Sequence, residues 1–175
     1  MKNTGIAIVS FALALMVLQS CHKETVTPVS FSTIDSTDNE CRVTGTVDTT
    51  QWCNSVLNRA SDTLFLTFAA NVGITDSVCG RVTMAPSCPN PSNGFFIWNV
   101  SCTRQCLLKV VCVSTAFDVL YFNSYVINAE PITLGFDLRA QTAFRNDSSY
   151  RMYFGFYNSN DSLYYSGHGD IKIVK

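Results

Sequence analysis

The chain has 175 residues, a net charge of −1, 47% hydrophobic residues and 8 Cys. That length suits one globular domain behind a targeting segment, with enough chain to bury a substantial core. The near-neutral balance supplies no basic face, which sets aside nucleic acid and anionic membrane surfaces as principal partners.

Lys2 is followed by an uncharged apolar run over residues 5–18. A permanent spanning helix needs roughly 20 apolar residues, so a basic start and a shorter run predict a secretory signal over 1–20. The run ends in Leu18-Gln19-Ser20-Cys21. This ending resembles the lipobox of bacterial lipoproteins, an aliphatic residue and a small residue before the Cys. The resemblance implies that Cys21 is acylated, becomes the new N-terminus and holds the protein to the membrane of the cell envelope, the outer membrane in particular. Ordinary signal-peptidase cleavage, with Cys21 left for a disulfide, is the competing reading, and Leu18 is a poor small-residue site for that enzyme. Residues 22–40 are rich in Thr, Ser and Asp with little apolar periodicity. They predict a solvated tether over 21–40, without the ligand spacing of a Ca²⁺ loop.

The domain is expected over 41–175. Residues 42–47 read as a short edge strand, and Asp48 before Gln51-Trp52 reads as the cap of a turn or two of helix reaching Leu57. Strands are predicted over 63–68, 78–84, 95–100, 107–114, 118–123 and 132–138, each 5–8 residues long or nearly so. Between them, Pro89-Asn90-Pro91-Ser92-Asn93-Gly94 is a rigid reversal, because two prolines fix φ and withhold donors. Phe96, Trp98 and Val100 then share one face. Leu108, Val110 and Cys112 face the core while Lys109 is expected in water. Tyr150, Met152, Phe154 and Phe156 alternate again, the stretch 158–161 turns, and strands follow at 163–165 and 171–174. His168, between Gly167 and Gly169, reads as a turn residue. Turn-separated strands without a long helical period predict an all-β antiparallel sandwich of about 7–9 strands.

The elements Pro89-Asn90-Pro91, Gly94, Phe96, Trp98, Phe136-Asp137-Leu138 and the basic end over 171–175 occur in an order that resembles the C-terminal sorting domain of type IX secretion cargo. That family is a small Ig-like sandwich. The likeness covers 88–175 and implies an Ig-like fold and a Bacteroidota-type source. Cys88 stands where the family has Tyr, and 114–117 replace its Gly-Lys turn.

An exported chain with this many cysteines suggests disulfides. Cys102 and Cys106 flank a tight connection and could face each other, Cys79 and Cys88 bracket another, and Cys41 and Cys53 lie near the start of the domain; many pairings of these cysteines stay open, and Cys112, on a core face, is the expected free thiol. The spacing of Cys102, Cys106 and Cys112 lacks the CxxC pairs of structural zinc sites, so no metal and no cofactor is expected. A catalytic Cys would need a base, and His22 and His168 are placed in the tether and a turn. With no recognisable catalytic motif, no catalytic residue is assigned and the chain is not read as an enzyme. Tyr153, Tyr157, Tyr164 and Tyr165 form a candidate binding surface for a glycan or an envelope protein, with core packing as the alternative. The expected function is a lipid-anchored envelope protein with a non-catalytic Ig-like domain for binding or assembly. The alternatives are a secreted disulfide-rich domain and a thiol-redox envelope protein.

Overall fold

The computed structural model describes residues 31, 34–45, 47–55 and 75–175. The expected signal segment, Cys21 and the strand expected over 63–68 lie outside them. Seven strands are present: β1 (Val82–Met84), β2 (Phe95–Cys102), β3 (Gln105–Val113), β4 (Val119–Asn128), β5 (Ile132–Asp137), β6 (Ser148–Tyr157) and β7 (Leu163–Ile173). They form two antiparallel sheets, ordered β1-β2-β5 and β4-β3-β6-β7. The fold is an all-β sandwich, with no helix among the described residues.

Alternation builds the core. Phe96, Trp98, Val100, Leu134 and Phe136 point inward from the smaller sheet, and Leu108, Val110, Cys112, Met152, Phe154 and Phe156 meet them from the larger one. Phe96 and Phe136 are direct cross-strand partners whose rings stack at 4.9 Å. Burying each such side chain is worth about 1.5–3 kcal/mol.

Several expectations change. Residues 49–53 form a turn instead of a helix, and the described residues of 42–47 form no strand, Val43 bridging to Thr37. The strand expected over 78–84 shrinks to β1, because the Arg81 amide bonds the Thr103 hydroxyl in place of a neighbouring strand. The strand expected over 118–123 extends to Asn128. His168 lies within β7, opposite Tyr153, and not in a turn. Its glycine neighbours explain this. A Cβ on Gly169 would come within 3.0 Å of the Trp52 indole, and one on Gly167 within 3.0 Å of the Cys53 carbonyl and the Phe154 ring. The glycines therefore leave room for the 51–55 segment to pass over the strand without interrupting it. Amides of Trp52 and Ser55 donate to the carbonyls of His168 and Ser166, so this segment also covers the β7 edge.

The tether assignment is also too long. Phe31, Asp35 and Thr37 are buried. Thr37 exchanges backbone hydrogen bonds with Asn90, and its hydroxyl donates to the Ser87 carbonyl. Asn90, in the Pro-Asn-Pro turn, is a polar hub. Its Nδ2 donates to the carbonyls of Asp35 (3.1 Å) and Asp170 (2.9 Å), and its Oδ1 accepts the Lys172 amide (2.9 Å). Asp170 is fully buried and is held bidentately by Arg151 at 2.6 and 2.8 Å. The turn thus ties residues 35–37 to the last strand.

Candidate functional site

The tyrosines do not form one surface. Tyr153 and Tyr157 point away from the sandwich interior, as alternation requires, yet they are only 3% and 7% exposed. They belong to a second apolar cluster with Phe31, Leu107, Val111 and Val113 on the outer face of the larger sheet. Lys109, expected in water, is 3% exposed there. Its Nζ lies 4.2 Å from the Tyr157 ring centre and 3.5 Å from the Asp161 carboxylate, so a cation–π contact and an ion pair replace its hydration. The Arg151 guanidinium likewise covers the Phe31 ring at 4.6 Å. Tyr164 and Tyr165 are half-buried and pack against the main core, Tyr165 meeting Phe156 edge-on at 5.6 Å. An irregularity at Phe156/Tyr157 shifts the β6–β7 register and separates these tyrosines from the other two.

The cysteines also pair differently. Cys41 bonds Cys88, 47 residues apart, because the Thr37–Asn90 bridge brings the two segments together. Of the six candidate disulfide cysteines only Cys41 and Cys88 are bonded; Cys53, Cys79, Cys102 and Cys106 are thiols, as is Cys112, so the expected bridge between Cys102 and Cys106 is absent among the described residues. Cys112 lies on the core face, where burial pushes its thiol pKa up.

Cys102 and Cys106 do face each other as buried thiols. Cys102 ends β2 in one sheet and Cys106 lies at the start of β3 in the other. The Tyr164 hydroxyl is 3.3 Å from Cys102 Sγ. The Cys106 thiol donates to Cys102, with help from Tyr164 and the Arg104 and Thr103 amides, and brings the Cys102 pKa down to about 6 against the opposing effect of burial. Sharing one proton, the pair holds the Cys106 proton more tightly than usual. The chain also crosses close by: a Cβ on Gly80 would come within 3.0 Å of Cys102 Sγ, and the preceding residue, Cys79, is exposed.

A cleft of about 620 Å³ opens at one end of the sandwich, between the β3–β4 turn and the β5–β6 loop. Ser114, Asp118, Thr142, Arg145, Ser149 and Tyr150 are among its lining residues. Its walls are fixed locally. Ser114 Oγ accepts the amides of Ala116 and Asp118 and donates to the Asp118 carboxylate. Tyr150 Oη accepts the Arg145 amide at 2.5 Å and donates to the Ala143 carbonyl. Phe144, fully buried, packs on the Tyr150 ring at 4.8 Å. A hydroxyl-rich rim with one carboxylate and one guanidinium suits an uncharged polar ligand. Sequence reading passed over this cleft; its signal is the Thr-, Ser- and Asn-containing loop over 138–148, between two strongly alternating strands. A smaller groove of about 320 Å³ lies on the outer side of β1, β2 and β5. There Thr83 already bonds Ser101 and Thr133 bonds Asn99, which leaves fewer groups to meet a ligand.

Among the described residues no group of His, Cys, Asp and Glu is arranged to hold a metal ion, and no helix is long and apolar enough to cross a membrane. No protein-family model matches the chain, and no curated protein matches it.

Proposed function

We propose that this chain is a lipid-anchored protein of the bacterial cell envelope, at the outer membrane, whose non-catalytic Ig-like sandwich binds a neutral glycan in the end cleft. One observation carries the reading: Leu18-Gln19-Ser20-Cys21 falls where a short apolar run behind Lys2 ends. Acylation there contributes about 0.8 kcal/mol per buried CH₂, and more than one chain makes attachment stable. The order of motifs over 88–175 supports the Ig-like class and a Bacteroidota-type source. The cleft supports the ligand class, because hydroxyl donors and acceptors with balanced charge match a polyol better than an ion.

The anchor is tested by labelled palmitate incorporation and detergent partitioning of wild type and Cys21→Ala. The reading expects label and detergent-phase protein for wild type only, and equal partitioning overturns it. The ligand is tested by titrating neutral oligosaccharides. Arg145→Ala, removing a charged donor from the rim, should weaken binding about tenfold, which corresponds to about 1.4 kcal/mol. Unchanged binding overturns the cleft assignment.

A further inference from the structure

The thiol cluster at the sheet junction goes beyond this reading. Cys102 and Cys106 come from opposite sheets with three residues between them, and both are buried, the Tyr164 hydroxyl lying 3.3 Å from Cys102 Sγ. Neither forms a disulfide, and the chain crosses Cys102 closely enough at Gly80 that no side chain fits there. That passage places exposed Cys79 one residue from the buried sulfur. We propose that Cys79, Cys102 and Cys106 form a thiol–disulfide relay that exchanges with external small-molecule disulfides and stores the oxidising equivalents as a Cys102–Cys106 bond joining the two sheets.

The chemistry balances with a low-molecular-weight disulfide RS–SR as the oxidant. The Cys79 thiolate attacks one sulfur, forming the mixed disulfide with R and releasing RSH. The Cys102 thiolate then attacks the Cys79 sulfur and expels the second RSH. Cys106 attacks Cys102, forms the final disulfide and releases Cys79 as a thiol. Cys102 and Cys106 lose two electrons and two protons, and both protons leave on the two RSH molecules. The surroundings suit each step. Hydrogen bonds from Cys106, Tyr164 and the connection amides stabilise the Cys102 thiolate, the nucleophile that must act where water is scarce. Cys106 keeps its proton until Cys102 carries the leaving sulfur. Cys112 is buried on the core face and is no part of the relay, which makes it an internal control.

The test uses the full chain in detergent, equilibrated with reduced and oxidised glutathione at varied ratios. Samples are quenched with acid, unfolded and alkylated, and each cysteine is located by peptide mass. The relay predicts that Cys102 and Cys106 lose alkylation together in the oxidising buffers and recover it in the reducing ones, with Cys112 alkylated throughout. Cys79→Ser, an exposed substitution that leaves the core intact, should slow closure at least about tenfold at an unchanged end point. Full alkylation of Cys102 and Cys106 at every ratio overturns the proposal. Permanent bridging in the most reducing buffer also overturns it, since that would be a structural staple. Closure of Cys79→Ser at the wild-type rate refutes the relay.

Discussion

Replacing Asn90 by Ala isolates the turn that ties both ends of the domain together. The substitution leaves the Thr37–Asn90 backbone bridge in place and deletes three buried side-chain bonds, to Asp35, Asp170 and Lys172. Each such bond contributes about 0.5–1.5 kcal/mol net, and the Lys172 amide left without its acceptor raises the cost further. The expected loss is about 3–4 kcal/mol, a large fraction of a typical domain's stability. For a domain of this size that lowers Tm by roughly 10 °C. The assay is urea and thermal unfolding under non-reducing conditions, followed by Trp fluorescence. Asn93→Ala in the same turn is the control, because it loses one exposed bond to the Phe95 amide and should cost about 0.5 kcal/mol. If Asn90→Ala costs no more than the control, the hub is refuted.

Cys88→Ser opens the Cys41–Cys88 loop, and its sequence separation of 47 corresponds to about 4 kcal/mol of lost chain constraint, read as a lower urea midpoint with a steeper slope, because the released unfolded chain exposes more surface. Gly169→Ala pushes a Cβ into Trp52; it should cost about 1–3 kcal/mol or more and shift Trp emission to the red at temperatures where wild type is native. Burial, reinforced by the Arg151 cation, holds the His168 pKa below its ordinary 6.5, with Asp170 and Asp48 opposing. The unfolded chain therefore binds more protons than the folded one just below pH 6.5, so stability falls as pH drops through that window. His168→Gln should flatten that fall in urea midpoints measured across it.

Much of the fold was legible because strands of period two write their buried faces directly. Phe96 and Trp98, Leu134 and Phe136, and Met152, Phe154 and Phe156 are all core residues as their alternation requires. What escaped depends on segments meeting from far apart. Gly167-His168-Gly169 resembles a turn locally, and only the Trp52 indole lying across it shows why the glycines stand in a strand. The polar residues around Asp35 read as tether because Asn90, which bonds the Asp35 carbonyl and the Thr37 backbone, is more than fifty positions away. The same distance hides the partner of Cys41, whereas the short connection that suggests a bridge between Cys102 and Cys106 leaves both as thiols. Alternation with Met152, Phe154 and Phe156 turns Tyr153 and Tyr157 away from the interior, but it says which way a side chain points and not what covers it. The end cleft depends on how two loops meet, and a loop's composition alone does not fix that.

Intact mass of the mature protein extracted from membranes tests the proposed anchor at Cys21. The expected mature chain begins at Cys21 and is heavier than its amino-acid mass by a diacylglyceryl group and by further fatty acyl carried on the N-terminus. Base hydrolysis should release the ester-linked chains, and trypsin should confine all the added mass to the first peptide. A mature chain that starts elsewhere, or that carries Cys21 unmodified, contradicts it.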